Sequence, residues 1–359
     1  MEEIYANVPN IIKAVALELK SRHGIDISPA EFTSRMYQIA DDTVMAETNN
    51  ANQGLKNRPT KSCRIGFMEN QLIQLYVWVC QLYDKHSVLK LQRMSNNSQP
   101  AFTDQELVTL YLFGHLQGHF SQRRIYDYVC GHWLAWFPFL PSYQAFNQRL
   151  NLLSPSFALL LEDLLTVLAS VEASTNDYLL DSLPIILAKG TRADTAKVAH
   201  RLANKGYCST KKLYYHGVKL HLLGRRRLKQ LPLPETLALT AASVHDLTAF
   251  RQEIEPPSFG ALFADKAYKD ESLKAELAQR QVELCTPDKR QRGEHRDCAW
   301  HSLWSRFVSA MRQPIESLFN WLIQRSGLQD ASRLRSTNGL LVHCYGKLTV
   351  CCFRLLFNS

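Results

Sequence analysis

The chain of 359 residues holds nine cysteines but no Cys-x-x-Cys and no Cys/His set with zinc-finger spacing. That argues against a zinc module or a disulfide framework. The thiols read instead as small core hydrophobes in a reducing cytoplasm, the expected location. No internal repeat or low-complexity tract is present. The opening Met1-Glu2-Glu3 has no basic region followed by an apolar core, which argues against a secretory signal. A long uncharged apolar run is lacking as well. The most apolar stretch, Leu340 to Phe357, is interrupted by His343, Lys347 and Arg354 and barely reaches the length of a bilayer span. It reads as a buried terminal helix, with no membrane partner expected. The first half also lacks excess positive charge: residues 1–176 carry 14 Lys/Arg against 16 Asp/Glu, a net of −2. Residues 177–359 carry 28 against 17, a net of +11, and so hold the whole formal excess of +9. Such asymmetry suits a polyanionic partner, and nucleic acid is the leading one.

Four segments are expected. Residues 1–67 read as a helical extension, with helices around Ile11–Leu19 and Phe32–Ile39, followed by a linker over 47–66 rich in Asn, Gln, Gly, Pro, Lys and Ser. Residues 68–172 read as a helical domain that could bind DNA. An amphipathic helix is expected over 69–92 and a capping box at Thr103–Glu106 starting a helix to about Gly118. Another helix should run from Ser121 to Trp133, and one capped by Ser142 should carry Tyr143, Phe146 and Leu150. These short helices, with Arg123, Arg124 and Arg149, resemble a helix-turn-helix module, though packed short helices are also a common way to build a small α domain. A further apolar helix is expected over 155–172. Residues 173–335 read as an α/β domain and residues 336–359 as a C-terminal core helix.

In the α/β domain, the run Tyr178-Leu179-Leu180-Asp181-Ser182-Leu183-Pro184-Ile185 reads as a buried strand carrying a carboxylate, which needs a partner or a metal there. A basic, polar stretch over 188–212 follows. Strands are then expected at 213–223 and 235–244, and Asp246 is expected to cap a helix through Leu247, Phe250 and Ile254. A strand ending at Asp265, a helix over 270–280 and a short strand over 282–285 come next. That order is the order of a ribonuclease-H-like mixed sheet with flanking helices, preceded by an all-α, helix-turn-helix-like region. Glu316, just after Pro314, is placed in the first turn of a later helix, with Trp300 and Trp304 before it.

Three acids from separate elements in a basic domain point to metal-dependent chemistry on phosphodiesters, since hard Mg²⁺ prefers oxygen ligands and keeps waters of its own. Each acid also has an ordinary explanation. Asp181 and Asp265 suit strand-end turns, and Glu316 suits a helix dipole or an ion pair with Arg312.

The segments Asp181-Ser182-Leu183-Pro184, Gly206 to Lys212, Tyr214 to His221, Ser243-Val244-His245-Asp246, Asp265-Lys266-Ala267-Tyr268 and Arg312 to Glu316 resemble insertion-sequence transposases of the DDE type, and most nearly the insertion-sequence nine-eight-two family. The resemblance covers about residues 69–357, with the acids separated by 84 and 51 positions. It implies a ribonuclease-H-like fold, a catalytic and metal-binding triad of Asp181, Asp265 and Glu316, Mg²⁺ as cofactor with Mn²⁺ as an alternative, and recognition of an element's terminal inverted repeats and of target DNA. It also implies at least a homodimer in the active complex, because two DNA ends must meet one target. Related families surround the catalytic Glu with a Tyr, Arg, Glu and Lys signature. Arg312 and Glu316 match it here, whereas Ser309 and Ile323 replace the Tyr and Lys, with Gln324 and Arg325 nearby.

The basic residues then have expected roles at DNA phosphates: Lys212, Lys219 and His221 near the scissile bond, and Arg225, Arg226 and Arg227 in a basic turn. The loop cations Lys289, Arg290, Arg292 and Arg296, together with Lys266, Arg312 and Arg325, complete the set. Two other readings stay open, a ribonuclease-H-like nuclease that cuts without joining and a DNA-binding relic without chemistry. His216, His221 and His245 do not form a convincing zinc set.

Overall fold

The computed structural model describes residues 61–90, 100–170, 175–209, 211–288 and 299–357. These fall into two compact units, one ending at Phe146 and the other beginning at Asn147. The expected helices over 1–46, most of the linker, and the loop bearing Lys289, Arg290, Arg292 and Arg296 lie outside the described residues.

The first unit is helical. Helix α1 (Lys61–Lys85) begins within the expected linker, so Lys61–Gly66 belong to a helix. It buries Leu72, Leu75, Val79 and Leu82, spaced at three and four residues. It stops before His86, and a single turn, Ser87–Lys90, follows. Helix α2 (Asp104–Leu116) starts at a complete capping box: the Thr103 hydroxyl accepts from the Glu106 amide, and the Glu106 carboxylate accepts from the Thr103 amide. Helix α3 (Gln122–His132) is capped by Ser121 and buries Ile125 and Val129. The unit boundary falls within α4 (Tyr143–Leu152), which begins after Ser142.

The second unit is a mixed α/β domain. After α5 (Ser154–Ser170) come β1 (Asp177–Lys189), β2 (Asn204–Cys208), β3 (Leu213–Arg225) and β4 (Leu233–Ala241). Helix α6 (Asp246–Glu253), β5 (Gly260–Ala264), α7 (Glu271–Gln279), β6 (Val282–Cys285), α8 (Ala299–Ser326) and α9 (Thr337–Phe357) complete it. The sheet order is β2-β3-β1-β5-β6, with β4 also on β3. Strand β3 is antiparallel to β1, β2 and β4, while β1, β5 and β6 run parallel.

Burial alternates across this sheet as the pleat requires. Leu180, Leu262 and Ala264 face a core shared with Phe250, Tyr268, Leu273 and Leu277, so α6 and α7 cover that side. The neighbouring Phe263 turns the other way and meets Phe307 of α8, ring centroids 6.1 Å apart. Helix α9 is long and apolar enough to cross a membrane by length and composition, but it is largely buried here against α5 and α8. Its interrupting polar residues close the end of α8: Lys347 donates to the Gly327 carbonyl (2.7 Å), and Arg354 donates to that of Arg325 (3.2 Å). His343 lies 2.8 Å from the Leu328 carbonyl.

Three expectations need correction. Strand β2 lies in the stretch read as merely basic and polar. Its pattern hides the strand because one face carries Lys205 and Tyr207, while the other closes on β4 through Gly206, where a Cβ would run into the Ala242 carbonyl oxygen. The cap of α6 is His245, whose Nδ1 accepts from the Leu247 amide at 3.3 Å, rather than Asp246. Glu316 does not open a helix, because α8 runs unbroken through Pro314 and places Glu316 in its second half, away from the N-terminal dipole. Trp304 belongs to the same helix, where its indole donates to the Thr286 carbonyl at 3.1 Å.

Candidate functional site

The site begins with register. Leu180 of β1 pairs with Ala264 of β5, and these are the last paired residues of the parallel ladder. The next residue in each segment is an aspartate, so Asp181 and Asp265 sit side by side where the parallel pairing of β1 and β5 stops, Asp265 just past the end of β5 and Asp181 within β1. The crevice beyond the carboxyl end of a strand such as β5 is where open α/β sheets bind ligands. Strand β1 continues to Lys189, so Asp181 is a mid-strand residue and not the start of a turn. Pro184, which has no N–H to donate, falls beyond the end of the β5 pairing, and its carbonyl accepts from Gln329 at 2.7 Å.

Both aspartates meet one guanidinium. Arg312 of α8 donates to Asp181 Oδ2 at 2.9 Å and lies 3.6 Å from Asp265 Oδ1. Its side chain is only 11% exposed, because its position falls in the stripe by which Val308, Ile315, Phe319 and Leu322 pack the helix down. Asp181 Oδ1 also accepts from the Ser182 amide (2.8 Å), and Asp265 Oδ1 accepts from the Lys266 amide (2.7 Å). Burial pushes the Asp181 carboxyl up to about 6, against the downward pull of Arg312 and the Ser182 amide; Asp265 and Asp246 add to the rise. This is a carboxylate short of positive charge.

A fourth acid, Asp246, supports the floor. Its Oδ1 accepts from Lys219 Nζ (3.0 Å) and from Ser182 Oγ (3.2 Å), and Lys219 also donates to the Val244 carbonyl (2.5 Å). His221 Nδ1 lies 3.9 Å from the same oxygen, but burial lowers the imidazole to about 4, so at neutral pH the contact is not an ion pair. Tyr268, 1% exposed, has no hydrogen-bond partner for its hydroxyl. Burial raises its phenol strongly, and Asp246 and Asp181 raise it further, so it stays protonated among the acids. Asp246 and Tyr268 both fall in segments noted in the sequence, but nothing there tied either to Asp181.

Glu316 stands apart from this group. It is exposed, one helical turn beyond Arg312 on α8, where side chains four apart are neighbours. Among the described residues no three His, Cys, Asp or Glu side chains are arranged to hold a metal ion. The structure thus brings Asp181 and Asp265 together and leaves Glu316 outside their contact. The donor chemistry still fits Mg²⁺: two carboxylates side by side on neighbouring segments, one of them largely buried and wanting a cation, suit a hard ion that needs few protein ligands.

The cations expected at DNA divide sharply. His221 is fully buried, its Nε2 2.8 Å from the Thr240 hydroxyl, which takes it out of reach of a phosphate. Lys219 is held by Asp246. Arg225 pairs with Glu235 and donates to the Ala169 carbonyl (2.6 Å). Arg226 pairs with Asp177 at 3.2 Å, and Arg227 donates to the Leu231 carbonyl at 2.8 Å. These contacts tie the sheet together. Lys212, Lys266 and Arg325 are exposed.

A mixed sheet with flanking helices, two aspartates side by side where the β1–β5 pairing stops and a helix that brings an Arg against them is compatible with a ribonuclease-H-like fold. Comparison with protein families carries this further. Residues 172–337, from just before β1 to the first residue of α9, match the family model described as Transposase DDE domain, which supports a DDE-type transposase and implies DNA as its partner. No curated protein and no solved structure matches the chain.

Proposed function

We propose that this protein is a DNA transposase of the insertion-sequence nine-eight-two type, which binds an element's terminal inverted repeats and carries out Mg²⁺-dependent strand cleavage and strand transfer. The observation that carries this reading is the register of β1 and β5, which sets Asp181 and Asp265 side by side under Arg312 within the segment that matches the transposase family model.

In this reading Asp181 and Asp265 would hold Mg²⁺, with Glu316 completing the set from α8, and a bound ion would supply charge neutralisation at the phosphodiester and a more acidic attacking water. The chain's own residues do the rest. Asp246, through Ser182 and Lys219, fixes the strand beside Asp181, while Arg312 keeps the two aspartates facing one point. In the first step the oxygen of water bonds to phosphorus and the 3′ oxygen leaves with a proton, freeing a 3′-hydroxyl at the element's end. In the second step that oxygen attacks a target phosphodiester in line and displaces another 3′ oxygen, so the number of phosphodiester bonds is conserved. No covalent bond to the protein forms. The active complex is at least a dimer, and helices α2 to α4 contact DNA.

The separate position of Glu316 favours a second reading, a DNA-binding relic. One assay decides between them: nicking of supercoiled plasmid carrying the element's ends, with Mg²⁺ or Mn²⁺. The transposase reading expects nicked and then joined products from wild type. It expects a loss of about a thousandfold or more in Asp181→Asn, Asp265→Asn and Glu316→Gln, with DNA binding retained. Nicking without joining would identify a nuclease. No nicking at all would leave the relic.

A further inference from the structure

Between β1 and β3 the surface changes character. Every Lys and Arg from Lys189 to Lys212 is exposed, seven in all, against the single acid Asp194. Within this stretch the β2–β3 hairpin forms an edge of the sheet, and its two faces differ. Gly206 and Tyr215 turn inward, Tyr215 packing with Ile186 and Ala242. Tyr207 and Tyr214, directly paired across the strands, turn outward. Both rings are large and about half exposed, 51% and 56%, and they lean on each other with centroids 4.9 Å apart. Lys205, on the same face, places its ammonium 4.7 Å from the Tyr214 ring centre while pairing with Asp194. Two tyrosines left half in water, leaning on each other across paired strands with Lys205 against one of them and exposed cations along the same stretch, are not explained by packing of the domain.

We propose that this face is a second DNA-binding surface, on which Tyr207 and Tyr214 stack against unpaired bases while the surrounding lysines and arginines hold the backbone. The proposal rests on the reading of the protein as an enzyme that processes DNA. Two features favour a nucleic acid here, and a third, the exposed aromatic faces, selects an unpaired strand as the occupant. The exposed cations complement a phosphate backbone, as in any nucleic-acid groove. Exposed aromatic faces add something a closed duplex cannot use, because its bases are already stacked, whereas single strands gain from aromatic platforms without needing a particular sequence. The rings are also braced by strand pairing and by Lys205, so little freedom remains to be lost on binding. The face is separate from the acid site. Asp181 pairs with Leu222 and Tyr207 with Tyr214, which puts the two tyrosines eight residues along β3 from the position opposite Asp181. At about 3.3 Å per residue that is roughly 25 Å, so the two sites engage different parts of one DNA molecule.

The test uses the full chain with two labelled probes of about 30 nucleotides, oligothymidine and a mixed-sequence duplex, followed by fluorescence anisotropy. Wild type should bind the single strand, and Tyr207→Ala/Tyr214→Ala should weaken that binding by roughly tenfold or more while changing duplex binding by less than about twofold. Tyr207→Phe/Tyr214→Phe, which keeps the rings, should behave as wild type. The threonine pair, which keeps β-propensity, should reproduce the alanine result and so separate stacking from hairpin integrity. The proposal is overturned if wild type does not bind oligothymidine. It is also overturned if the ring-less variants bind oligothymidine as wild type does, or lose the same factor on duplex. None of these readouts needs Mg²⁺ or the acids. A protein that never nicks DNA but shows the tyrosine effect would therefore sink the transposase reading alone, and the opposite result would sink this proposal alone.

Discussion

Strand β3 links two regions of nearly the same composition and opposite use. From its middle to just past its carboxyl end, Lys219, Arg225, Arg226 and Arg227 are turned inward onto Asp246, Glu235, Asp177 and main-chain carbonyls. At its amino end, around the β2 hairpin, the cations face solvent. Both stretches read as basic in the sequence, and both could be assigned to DNA on that ground. What separates them is the supply of acids. Acids from β1, β4 and the start of α6 reach the first group, and almost none reaches the second. Positive charge in this domain is therefore structural where the sheet provides partners and available to a polyanion where it does not.

The sharpest way to break that distinction is to remove an inward cation. Arg225 and Glu235 form a close ion pair, Nε to Oε1 at 2.6 Å, with side chains 16% and 19% exposed. Burial already raises the Glu235 carboxyl despite Arg225. Arg225→Ala strands that acid and uncaps the Ala169 carbonyl near the end of α5, which should cost about 2–4 kcal/mol in urea unfolding. The folded fraction should bind DNA as wild type does. A DNA-binding defect without loss of stability would reverse the assignment.

How far these fates were legible is instructive. Long apolar runs announced β1, and the Thr103 capping box announced α2, because each signal is carried by residues close together in the chain. Strand β2 was not legible, since an edge strand with a glycine on its packed face and lysine and tyrosine on the other has no apolar alternation to read. Pro314 misled in a similar way. Its usual place is the first turn of a helix, yet packing of Val308, Ile315, Leu318 and Phe319 carries α8 through the break. The roles of Asp246 and of Arg225 to Arg227 depend on partners from other strands and helices, which sequence spacing does not reveal. The pairing of Asp181 with Asp265 lay between these cases: two acids next to apolar strands could be seen, but only the β1–β5 register makes them neighbours.

The acid pocket extends the comparison with the sign reversed, for here negative charge outruns its partners. The folded state holds the proton on Asp181 more tightly than an unfolded chain would, the group rising from 3.8 to about 6. Between those values the folded protein binds more protons, so stability falls as pH rises through the window, and the whole penalty is present above about 6. Asp181→Asn removes it. With EDTA present, the variant should match wild type near pH 4 and be about 1–3 kcal/mol more stable near pH 7, an upper range softened by the 23% exposure of the side chain. Mg²⁺ should raise the wild-type melting temperature at pH 7 and leave the variant unmoved. A variant less stable than wild type at pH 7 would show that Arg312 already compensates the charge.

The smallest effect on stability belongs to the outward cations, and it completes the contrast. Lys211→Ala/Lys212→Ala removes two exposed charges at the hairpin turn, where Lys212 has φ 49°. Alanine keeps the same backbone strain, so unfolding free energy should stay within about 0.5 kcal/mol of wild type. If both lysines meet phosphates, affinity for DNA should fall at low salt, and the slope of log affinity against log salt should become shallower by about 1–2, since each lost contact releases fewer counterions. A shallower slope together with unchanged stability is a signature that Arg225→Ala cannot produce. If the lysine pair leaves the slope unchanged, exposure alone does not make these cations a DNA surface, and the hairpin tyrosines would have to bind without electrostatic help.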